Sequence, residues 1–378
     1  MKGWLAALEH QAGTRDKAGL TRRLRPRAAA DGVVDLAGND YLGLATHPRV
    51  IAAAAEALTR YGLGATGSRL VRGSTDEHAA LETDLAGWLG AAEALVFSSG
   101  YLANLGAVRA LADKATLIVS DAYNHASLID GCRMSGAETV VAPHNDPAAV
   151  AALLDAAPHR AAVVVTESVF SVDGDRAPLA DLYEVTSARG ALLLVDDAHA
   201  LGVLGPSGSG GVAEAGLAGR DDVVVTATLS KSLGGAGGAV AGPAPLVRHL
   251  IDTSRTFIYD TALPPAVVAG VRAALHLART ADDRRALLIR RAGQVVERLG
   301  AAGLPVVRPA AGVLSVPAPG PEAAVAWAAD CRDRGVAVGC FRPPSTPDSS
   351  SRLRLTLNAG VPDADFAQAL NVIVECAP

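Results

Sequence analysis

Residues 223–238 read VVVTATLSKSLGGAGG, and this stretch predicts the type of sheet on which the whole chain is built. The run VVVTAT is apolar and largely β-branched, which is typical of a strand buried on both faces. Lys231 follows that strand directly, between two serines and ahead of a cluster of glycines. Small residues let a bulky ligand approach the backbone, and a desolvated lysine is a nucleophilic amine that can form a Schiff base. An ordinary charged lysine at a strand end is the alternative.

The composition is that of a compact globular protein. The chain has 378 residues, of which 50% are hydrophobic and 19% charged, and this length predicts two domains. Its net charge of -5 argues against a nucleic-acid partner. The four cysteines lie far apart, without the spacing of a zinc knuckle or a disulfide framework, which favours a reducing cytoplasm. We also expect no signal peptide and no membrane span, because no apolar run reaches the necessary ~20 residues.

Apolar runs alternate with helical patterns from about residue 78 onward. Continuous apolar strands separated by helices indicate an α/β fold with a mostly parallel central sheet covered on both faces. Beyond Pro265 the pattern changes to two long helical stretches and then to a smaller α+β unit. We therefore predict an N-terminal helix and arm (1–40), a large cofactor-binding domain (41–265) and a small C-terminal domain (266–378).

Polar residues follow four of the predicted strands, at 98–101, 168–173, 196–199 and 228–231. Ligands of open α/β sheets bind beyond the carboxyl ends of the strands, so these four segments predict one common site. Each segment taken alone is also compatible with an ordinary turn.

The segment VDDAHALG places Asp196 at the end of an apolar strand and His199 three residues later. A buried carboxylate needs a positive or hydrogen-bonding partner, and the protonated pyridine nitrogen of pyridoxal phosphate is such a partner. His199 would then reach the phenolic oxygen of that cofactor. The alternative is a metal site formed by Asp196, Asp197 and His199, although no further ligands occur at a helpful spacing.

Several smaller features fit the same cofactor. The SSGY turn opens a helix, whose free amides at Gly100 and Tyr101 suit a phosphate, and Thr228 adds a hydroxyl. His125 begins another helix after a strand, where its side chain could lie flat on the cofactor ring. Ser171 is a candidate donor to the phenolic oxygen of that ring. A helix cap, a structural histidine and a turn serine are the respective alternatives.

Two groups of arginines suit anionic substrates. Arg22 belongs to the basic stretch TRRLRPR, which is either an arm that meets a carboxylate or phosphate or a solvated surface segment. In SRLRLTLN, period-two alternation places Arg352, Arg354 and Thr356 on one strand face and leucines on the other. A solvated strand face is the alternative there.

An ordered set of motifs, spread over nearly the whole chain, resembles the α-oxoamine synthases. These are pyridoxal-phosphate enzymes of fold type I, the aspartate-aminotransferase fold. The motifs are NDYLGL (39–44), GATGSRLVRGS (64–74), SSGYLANLGA (98–107), NHASLIDG (124–131), ESVFSVDGDRAPL (167–179), VDDAHALGVLG (195–205), TATLSKSLGG (226–235), FRPPSTP (341–347) and SRLRLTLN (351–358).

The resemblance implies a role for each matching position around the cofactor. Lys231 would bond covalently to its aldehyde and later take the α-proton of the amino acid. Asp196 would keep the pyridine nitrogen protonated, and His199 and Ser171 would contact the phenolic oxygen. His125 would stack on the ring and steer the acyl substrate.

The resemblance also implies which residues contact the rest of the cofactor and the two substrates. Gly100, Tyr101 and Thr228 would lie against the cofactor. Arg354, assisted by Asn39, would bind the amino acid carboxylate. The acyl substrate would meet two further residues, Arg22 and Ser345.

The implied reaction is a decarboxylative condensation of an amino acid with an acyl thioester. Within the family, the sequences of the motifs TGSRL and FRPPSTP resemble those of enzymes that use L-alanine and a pimeloyl group carried on coenzyme A or acyl carrier protein. That reaction is a step of biotin biosynthesis. Glycine C-acetyltransferase, 5-aminolevulinate synthase and serine palmitoyltransferase remain alternatives, as does a catalytically silent binding protein on the same fold. The resemblance also implies a homodimer, with Thr261 reaching the phosphate of the neighbouring subunit.

The chain departs from the usual family pattern at two positions near the expected cofactor. Asn124 stands where serine is common, and Ala200 stands where glycine is common. Neither change removes a functional group, but both bear on how a substrate fits. Ser345 replaces a common threonine and keeps its hydroxyl.

Overall fold

The computed structural model describes residues 3–346 and 348–378, and its strands form two sheets. The strands are β1 (Val34–Leu36), β2 (Glu93–Phe97), β3 (Leu117–Asp121), β4 (Glu138–Ala142), β5 (Ala162–Glu167), β6 (Leu192–Asp196), β7 (Val223–Thr228), β8 (Gly238–Gly242), β9 (Val313–Ala318), β10 (Val336–Phe341) and β11 (Ser351–Thr356). The helices are α1 (Trp4–Lys17), α2 (Pro48–Tyr61), α3 (Asp76–Leu89), α4 (Gly100–Leu111), α5 (Ala126–Ser135), α6 (Pro147–Asp155), α7 (Leu179–Ser187), α8 (Gly211–Glu214), α9 (Ala244–Thr253), α10 (Arg255–Ile258), α11 (Pro265–Ala278), α12 (Asp282–Ala301), α13 (Pro321–Asp333) and α14 (Asp363–Glu375).

The large sheet has seven strands in the order β2-β8-β7-β6-β5-β3-β4. All neighbours from β7 to β4 are parallel, and only β8 runs antiparallel to its two neighbours. Every residue of β7 is buried, as expected for an apolar strand that is covered on both faces. The predicted α/β fold with a mostly parallel sheet is therefore confirmed.

Strand β8 was not among the predicted elements. Its sequence, GAVAG, carries one β-branched residue and therefore little strand signal. The reason for the small residues is spatial, because a Cβ atom on Gly238 would lie 2.4 Å from the carbonyl oxygen of Ser99. Only glycine lets this strand pass so close to the start of α4.

The small sheet has the order β1-β10-β11-β9, and it contains the α+β elements expected near the C-terminus. Strand β1 comes from the N-terminal segment and pairs in parallel with β10. The predicted domain boundaries at residues 40 and 265 stay predictions. Helix α1 lies in the segment for which an N-terminal helix was predicted. It buries none of its residues, and Trp4, Leu5 and Leu8 are exposed.

No helix within residues 3–346 and 348–378 combines the length and the hydropathy that crossing a bilayer requires.

A histidine outside the predicted site ties the large sheet to the turn that carries Ser171. His144 Nδ1 lies 2.8 Å from Asp121, and its Nε2 lies 2.8 Å from Asp175. The ring stacks on Tyr123, with centroids 4.1 Å apart. Burial lowers the pKa of His144, but hydrogen bonds to the two carboxylates and their charges outweigh it and raise the pKa to about 9.

We expect this contact to make the stability of the fold decrease as the pH becomes alkaline. A folded-state pKa above the ordinary value near 6.5 means that the stabilisation is complete below pH 6.5 and is lost as the pH rises through about 9. The free energy of unfolding of the wild type should exceed that of His144→Gln by on the order of 2 kcal/mol at pH 6. Denaturant titrations at pH 6 and pH 10 measure the difference.

His10→Gln is the matched control for this measurement, because His10 is exposed. Its unfolding free energy should match that of the wild type at both pH values. An equal gap between the wild type and His144→Gln at pH 6 and pH 10 would contradict the proposed role of the charge.

Candidate active site

Lys231 lies in a row of three side chains that begins beyond the carboxyl end of β7. Its Nζ is 2.8 Å from Nε2 of His199. The Nδ1 atom of the same ring is 2.5 Å from the hydroxyl oxygen of Tyr41. Both His199 and Tyr41 are buried, whereas Lys231 keeps part of its surface accessible. The row therefore connects an accessible amine to a buried phenol.

The surroundings of this row favour uncharged side chains. Desolvation lowers the pKa of Lys231 to about 8, even though the charges of Asp196 and Glu167 oppose it. Desolvation and the nearby positive charge of Lys231 hold the pKa of His199 well below its usual range. Burial raises the pKa of Tyr41. An amine with a pKa near 8 has a larger neutral, nucleophilic fraction than an ordinary lysine.

A neutral imidazole has one N–H, so the two contacts of His199 are linked. When Tyr41 donates to Nδ1, Nε2–H donates to a neutral Lys231 amine. When Lys231 is an ammonium and donates to Nε2, Nδ1–H donates to the Tyr41 oxygen. The ring thus couples the protonation of Lys231 to the direction of the hydrogen bond at Tyr41.

Asp196 is the last residue of β6, and backbone and side-chain donors orient its carboxylate. The backbone N–H of Ala198 donates to Oδ1 at 2.9 Å, and Asn104 Nδ2 donates to Oδ2 at 2.6 Å. Asn104 is itself fixed, because Thr226 donates to its Oδ1 at 2.5 Å. The alternative metal site is not formed: Ser168 and the Gly211 N–H donate to Asp197 Oδ1, and the described residues contain no cluster of potential metal ligands.

His125 caps the start of α5 and is joined to Asp196 through two intermediate residues. Its Nδ1 lies 2.7 Å from Ser127 Oγ, and Asn104 donates to the same hydroxyl at 2.8 Å. His125 is exposed, so part of its ring is open to a ligand. Asp196 and His125, which were predicted to contact the cofactor separately, are therefore held in one hydrogen-bonded group.

Glu167 is a buried carboxyl group in this site that the sequence analysis did not single out. It ends β5 and is paired in register with Asp196 on β6. Its Oε1 accepts a hydrogen bond from the backbone N–H of His125 at 2.6 Å. Burial and the charge of Asp196 raise the pKa of Glu167 well above its usual range. The only signal in the sequence was an acidic residue that closes an apolar strand.

The start of α4 meets the end of β7 at very close range. A Cβ atom on Gly100 would lie 2.9 Å from the Thr228 Cβ atom, so only glycine fits there. Thr228 Oγ1 is 2.8 Å from Ser230 Oγ, which places two hydroxyls beside the amides of the first turn. The side chain of Tyr101 is 43% exposed and donates to Asp130 at 2.6 Å.

Arg354 is buried between three parts of the chain. One guanidinium nitrogen donates to Asn39 Oδ1 at 2.7 Å, and the other donates to the carbonyl oxygen of Ser171 at 2.9 Å. The guanidinium carbon lies 4.6 Å from the ring centroid of Phe341. The residue is 6% exposed, as is Arg352, so the alternative of a solvated strand face is wrong.

Arg22 and Ser345 lie together on the surface, although 323 residues separate them in sequence. Arg22 donates to Ser345 Oγ at 3.1 Å. No hydrogen bond among the described residues joins this pair to Lys231 or Arg354. Thr261 is exposed and forms an isolated bridge with Ser68.

The two departures from the family pattern are both buried. Asn124 donates to Ser120 Oγ and to the carbonyl oxygen of Val165, so it joins the ends of two strands. Ala200 is fully buried and packs in a small apolar cluster with Val169 and Ala311. Both residues therefore contribute to the packing beneath the site.

The side chains present fit pyridoxal phosphate. A partly accessible amine of low pKa suits the aldehyde, and a buried carboxylate that accepts from two donors among the described residues suits a protonated pyridine nitrogen. The hydroxyls of Thr228 and Ser230 lie close to the N-terminus of α4, a combination that suits a phosphate.

Comparison with known proteins gives consistent results. Residues 31–373 match the family described as aminotransferase class I and II. The chain is 52% identical over 374 residues to the 8-amino-7-oxononanoate synthase of Mycolicibacterium paratuberculosis, covering 98% of this chain and 96% of the relative. It is 50% identical over 372 residues to the enzyme of the same name from Mycobacterium tuberculosis, covering 98% and 94%.

Solved structures show the same fold. Serine palmitoyltransferase from S. paucimobilis, with PLP-myriocin bound, superposes with a TM-score of 0.93 at 30% identity, covering 99% of this chain and 98% of that chain. An 8-amino-7-oxononanoate synthase from Francisella tularensis has a TM-score of 0.77 at 28% identity, covering 91% and 98%. These likenesses extend over both sheets of the chain.

Proposed function

The chain belongs to the aminotransferase class I and II family and, within it, to the α-oxoamine synthases, and on this premise we propose that it is an acyltransferase with the activity of 8-amino-7-oxononanoate synthase. The reaction joins L-alanine to a pimeloyl thioester, with loss of carbon dioxide and release of the free thiol. The observation that carries the proposal is 52% identity to enzymes of that activity over 98% of the chain. The buried group around Lys231 supplies the matching chemistry.

The cofactor of the family is pyridoxal phosphate, which, when bound, delocalises the negative charge that develops on the α-carbon of the amino acid. Lys231 would hold its aldehyde, and Asp196 its pyridine nitrogen. His199 and Ser171 would contact its phenolic oxygen, and the exposed ring of His125 would lie against its face. Three residues would surround the phosphate, namely Gly100, Tyr101 and Thr228.

The row from Lys231 to Tyr41 has the properties required for moving a proton. The α-proton of alanine needs a base, and a neutral amine with a pKa near 8 serves as one near physiological pH. His199 remains uncharged and bonded on both sides, so it can adjust as Lys231 gains or loses a proton. We propose Lys231 as the base and His199 as the residue that orients its amine.

We propose separate binding residues for the amino acid and for the acyl thioester. Arg354 is held by Asn39 and by the Ser171 carbonyl, which places a fixed guanidinium where an amino acid carboxylate can pair with it. Its Nε–H is buried and has no acceptor among the described residues. Arg22 and Ser345 would contact the acyl thioester from the exposed side.

Serine palmitoyltransferase is the second candidate, because its solved structure superposes better than that of the synthase from Francisella tularensis. A TM-score measures how two backbones superpose, and a fold does not determine a substrate. The identity of 52% to the synthases, against 30% to the palmitoyltransferase, compares the side chains over nearly the whole chain. We therefore give the sequence comparison more weight.

A substrate panel tests the assignment. Alanine, glycine and serine are each offered with pimeloyl, acetyl, succinyl and palmitoyl thioesters, and thiol release is followed. We expect alanine with the pimeloyl thioester to give the highest kcat/KM, because the chain shares its sequence with enzymes of that activity. A higher kcat/KM for glycine with acetyl-CoA, or for serine with palmitoyl-CoA, would reassign the protein within the family. Parallel assays with pimeloyl-CoA and pimeloyl acyl carrier protein identify the carrier.

We further propose that the active unit is a homodimer in the cytoplasm. Large apolar side chains near the bridge between Ser68 and Thr261 are strongly exposed, which supports a partner surface there: Leu63 (85%), Val71 (84%) and Tyr259 (71%). The four free cysteines are compatible with a reducing compartment. Sedimentation velocity measures the assembly, and a species of one chain, 38.3 kDa, would contradict the dimer.

A further inference from the structure

The segment between α1 and β1, residues 18–33, crosses the surface without regular structure and is largely exposed. In the described part of the chain, the hydrogen bonds that tie it to anything beyond α1 all end on Arg342 or Ser345. Arg342 donates from one guanidinium nitrogen to the carbonyl oxygen of Gly19 at 2.5 Å and from the other to that of Thr21 at 2.7 Å. One loop after β10 therefore holds the arm immediately before Arg22.

The backbone at this point is suited to such a clamp. Gly19 has a φ of +65°, which glycine adopts without strain, and this lets the chain turn sharply as it leaves α1. A Cβ atom on Gly19 would lie 3.0 Å from Cγ of Glu322, so the arm lies directly against α13. The carbonyl groups on either side of Leu20 are thereby presented to a single guanidinium, whose two nitrogens match them.

Arg22 is exposed, and its contact with Ser345 is a single hydrogen bond of 3.1 Å. Fixing a long arginine side chain costs conformational entropy, and an arm that is already held in place lowers the remaining cost of binding. Arg342 and Ser345 are three residues apart on the same loop, so one loop fixes both the arm and the hydroxyl that Arg22 meets.

We propose that Arg342 is a positioning residue for the acyl thioester. By clamping residues 19–21 it holds the guanidinium of Arg22 against Ser345 and thereby favours acyl groups that end in a carboxylate. Arg342 acts through the arm, because each of its terminal nitrogens donates to a carbonyl oxygen of that segment. This inference rests on the proposed function, in which Arg22 and Ser345 meet the acyl substrate.

Steady-state kinetics of Arg342→Ala test the proposal. The KM for pimeloyl-CoA should rise about tenfold or more, since two hydrogen bonds from a charged donor are lost, while kcat stays within about threefold. The preference for pimeloyl-CoA over heptanoyl-CoA should fall by a similar factor. Exchange of the alanine α-proton in deuterated water, without thioester, should remain at the wild-type rate. Arg342→Lys should lie between the two, because an ammonium lacks the rigid fork.

Arg332→Ala is the matched control. Arg332 lines the same cavity of about 640 Å³ as Arg342, between the arm, α13 and β10. Its side chain forms no hydrogen bond or ion pair in the described residues, so its removal should leave the KM for pimeloyl-CoA unchanged. An equal rise in KM for Arg332→Ala and Arg342→Ala would mean that general positive charge matters, and would overturn the specific role of the clamp.

Limited digestion with trypsin supplies a measurement that does not depend on activity. The arm carries Arg22 and Arg23, and cleavage after them should be several-fold faster in Arg342→Ala than in the wild type or Arg332→Ala. If Arg342→Ala changes neither the cleavage rate nor the KM for pimeloyl-CoA, the inference is overturned. It is also overturned if Arg342→Ala loses both alanine exchange and thioester turnover, because the residue would then act on the general fold. A wild-type protein that neither exchanges alanine nor releases thiol would refute the proposed function instead, while the trypsin comparison still tests the clamp.

Discussion

Replacement of Lys231 by alanine is expected to reduce condensation activity by about 10³-fold or more, because one side chain supplies both the nucleophilic amine and the base. The variant should bind pyridoxal phosphate without a covalent bond. Borohydride reduction followed by peptide mapping should therefore place the pyridoxyl group on Lys231 in the wild type and on no residue of the variant. Exchange of the α-proton of L-alanine in deuterated water should be seen only in the wild type, because the variant lacks the base.

Lys114→Ala is the matched control for this experiment, since Lys114 is an exposed lysine between α4 and β3. It should retain the spectrum, the labelled peptide and the activity of the wild type. A pyridoxyl group found on any peptide other than that of Lys231 would refute the assigned role, and so would a colourless wild type that stays colourless with added cofactor. The latter result would favour a binding protein that kept the fold and lost catalysis.

Replacement of Asp196 by asparagine is expected to reduce both alanine α-proton exchange and condensation by about 10²-fold or more. The substitution removes the negative charge that would hold a proton on the pyridine nitrogen. It also leaves one donor unmatched, because Ala198 N–H and Asn104 both donate to the carboxylate and an amide offers one acceptor oxygen. Exchange in deuterated water, followed by proton NMR, separates this effect from acyl binding.

Glu167→Gln makes the same chemical change at the position paired in register with Asp196. Since the pKa of Glu167 is raised well above its usual range, a neutral amide resembles the protonated acid, and its oxygen can still accept from His125 N–H. We expect this variant to stay within about threefold of wild-type activity. Equal losses in the two variants would show that the carboxylates act together and would contradict the separate role given to Asp196.

Much of the site is accessible to sequence reasoning because its residues follow strand ends. In a parallel sheet those ends meet at one edge, so Lys231, Asp196 and Ser171 were expected together from their local patterns. The identity of the cofactor needed more than pattern. It followed from the ordered set of motifs and is supported by relatives of about 50% identity.

Other members of the site have no local signal. Tyr41 lies 158 residues from His199 in sequence, and its phenol contributes to the active site only because the turn after β1 packs against the residues that follow β6. Asn104 lies within a helix and Glu167 within a buried strand, where a polar residue predicts nothing until its partner is known. Strand β8 was missed for a similar reason, since Gly238 is required by the close approach of the strand to α4.

The sequence by itself determined the α/β class, the mostly parallel sheet and the lysine on which the chemistry depends, because periodicity and strand ends are local properties of a chain. Only the tertiary structure decided the protonation states of the side chains in the site. The low pKa of Lys231, the uncharged ring of His199 and the clamp on the N-terminal arm arise from groups distant in sequence that folding desolvates and brings within hydrogen-bonding distance.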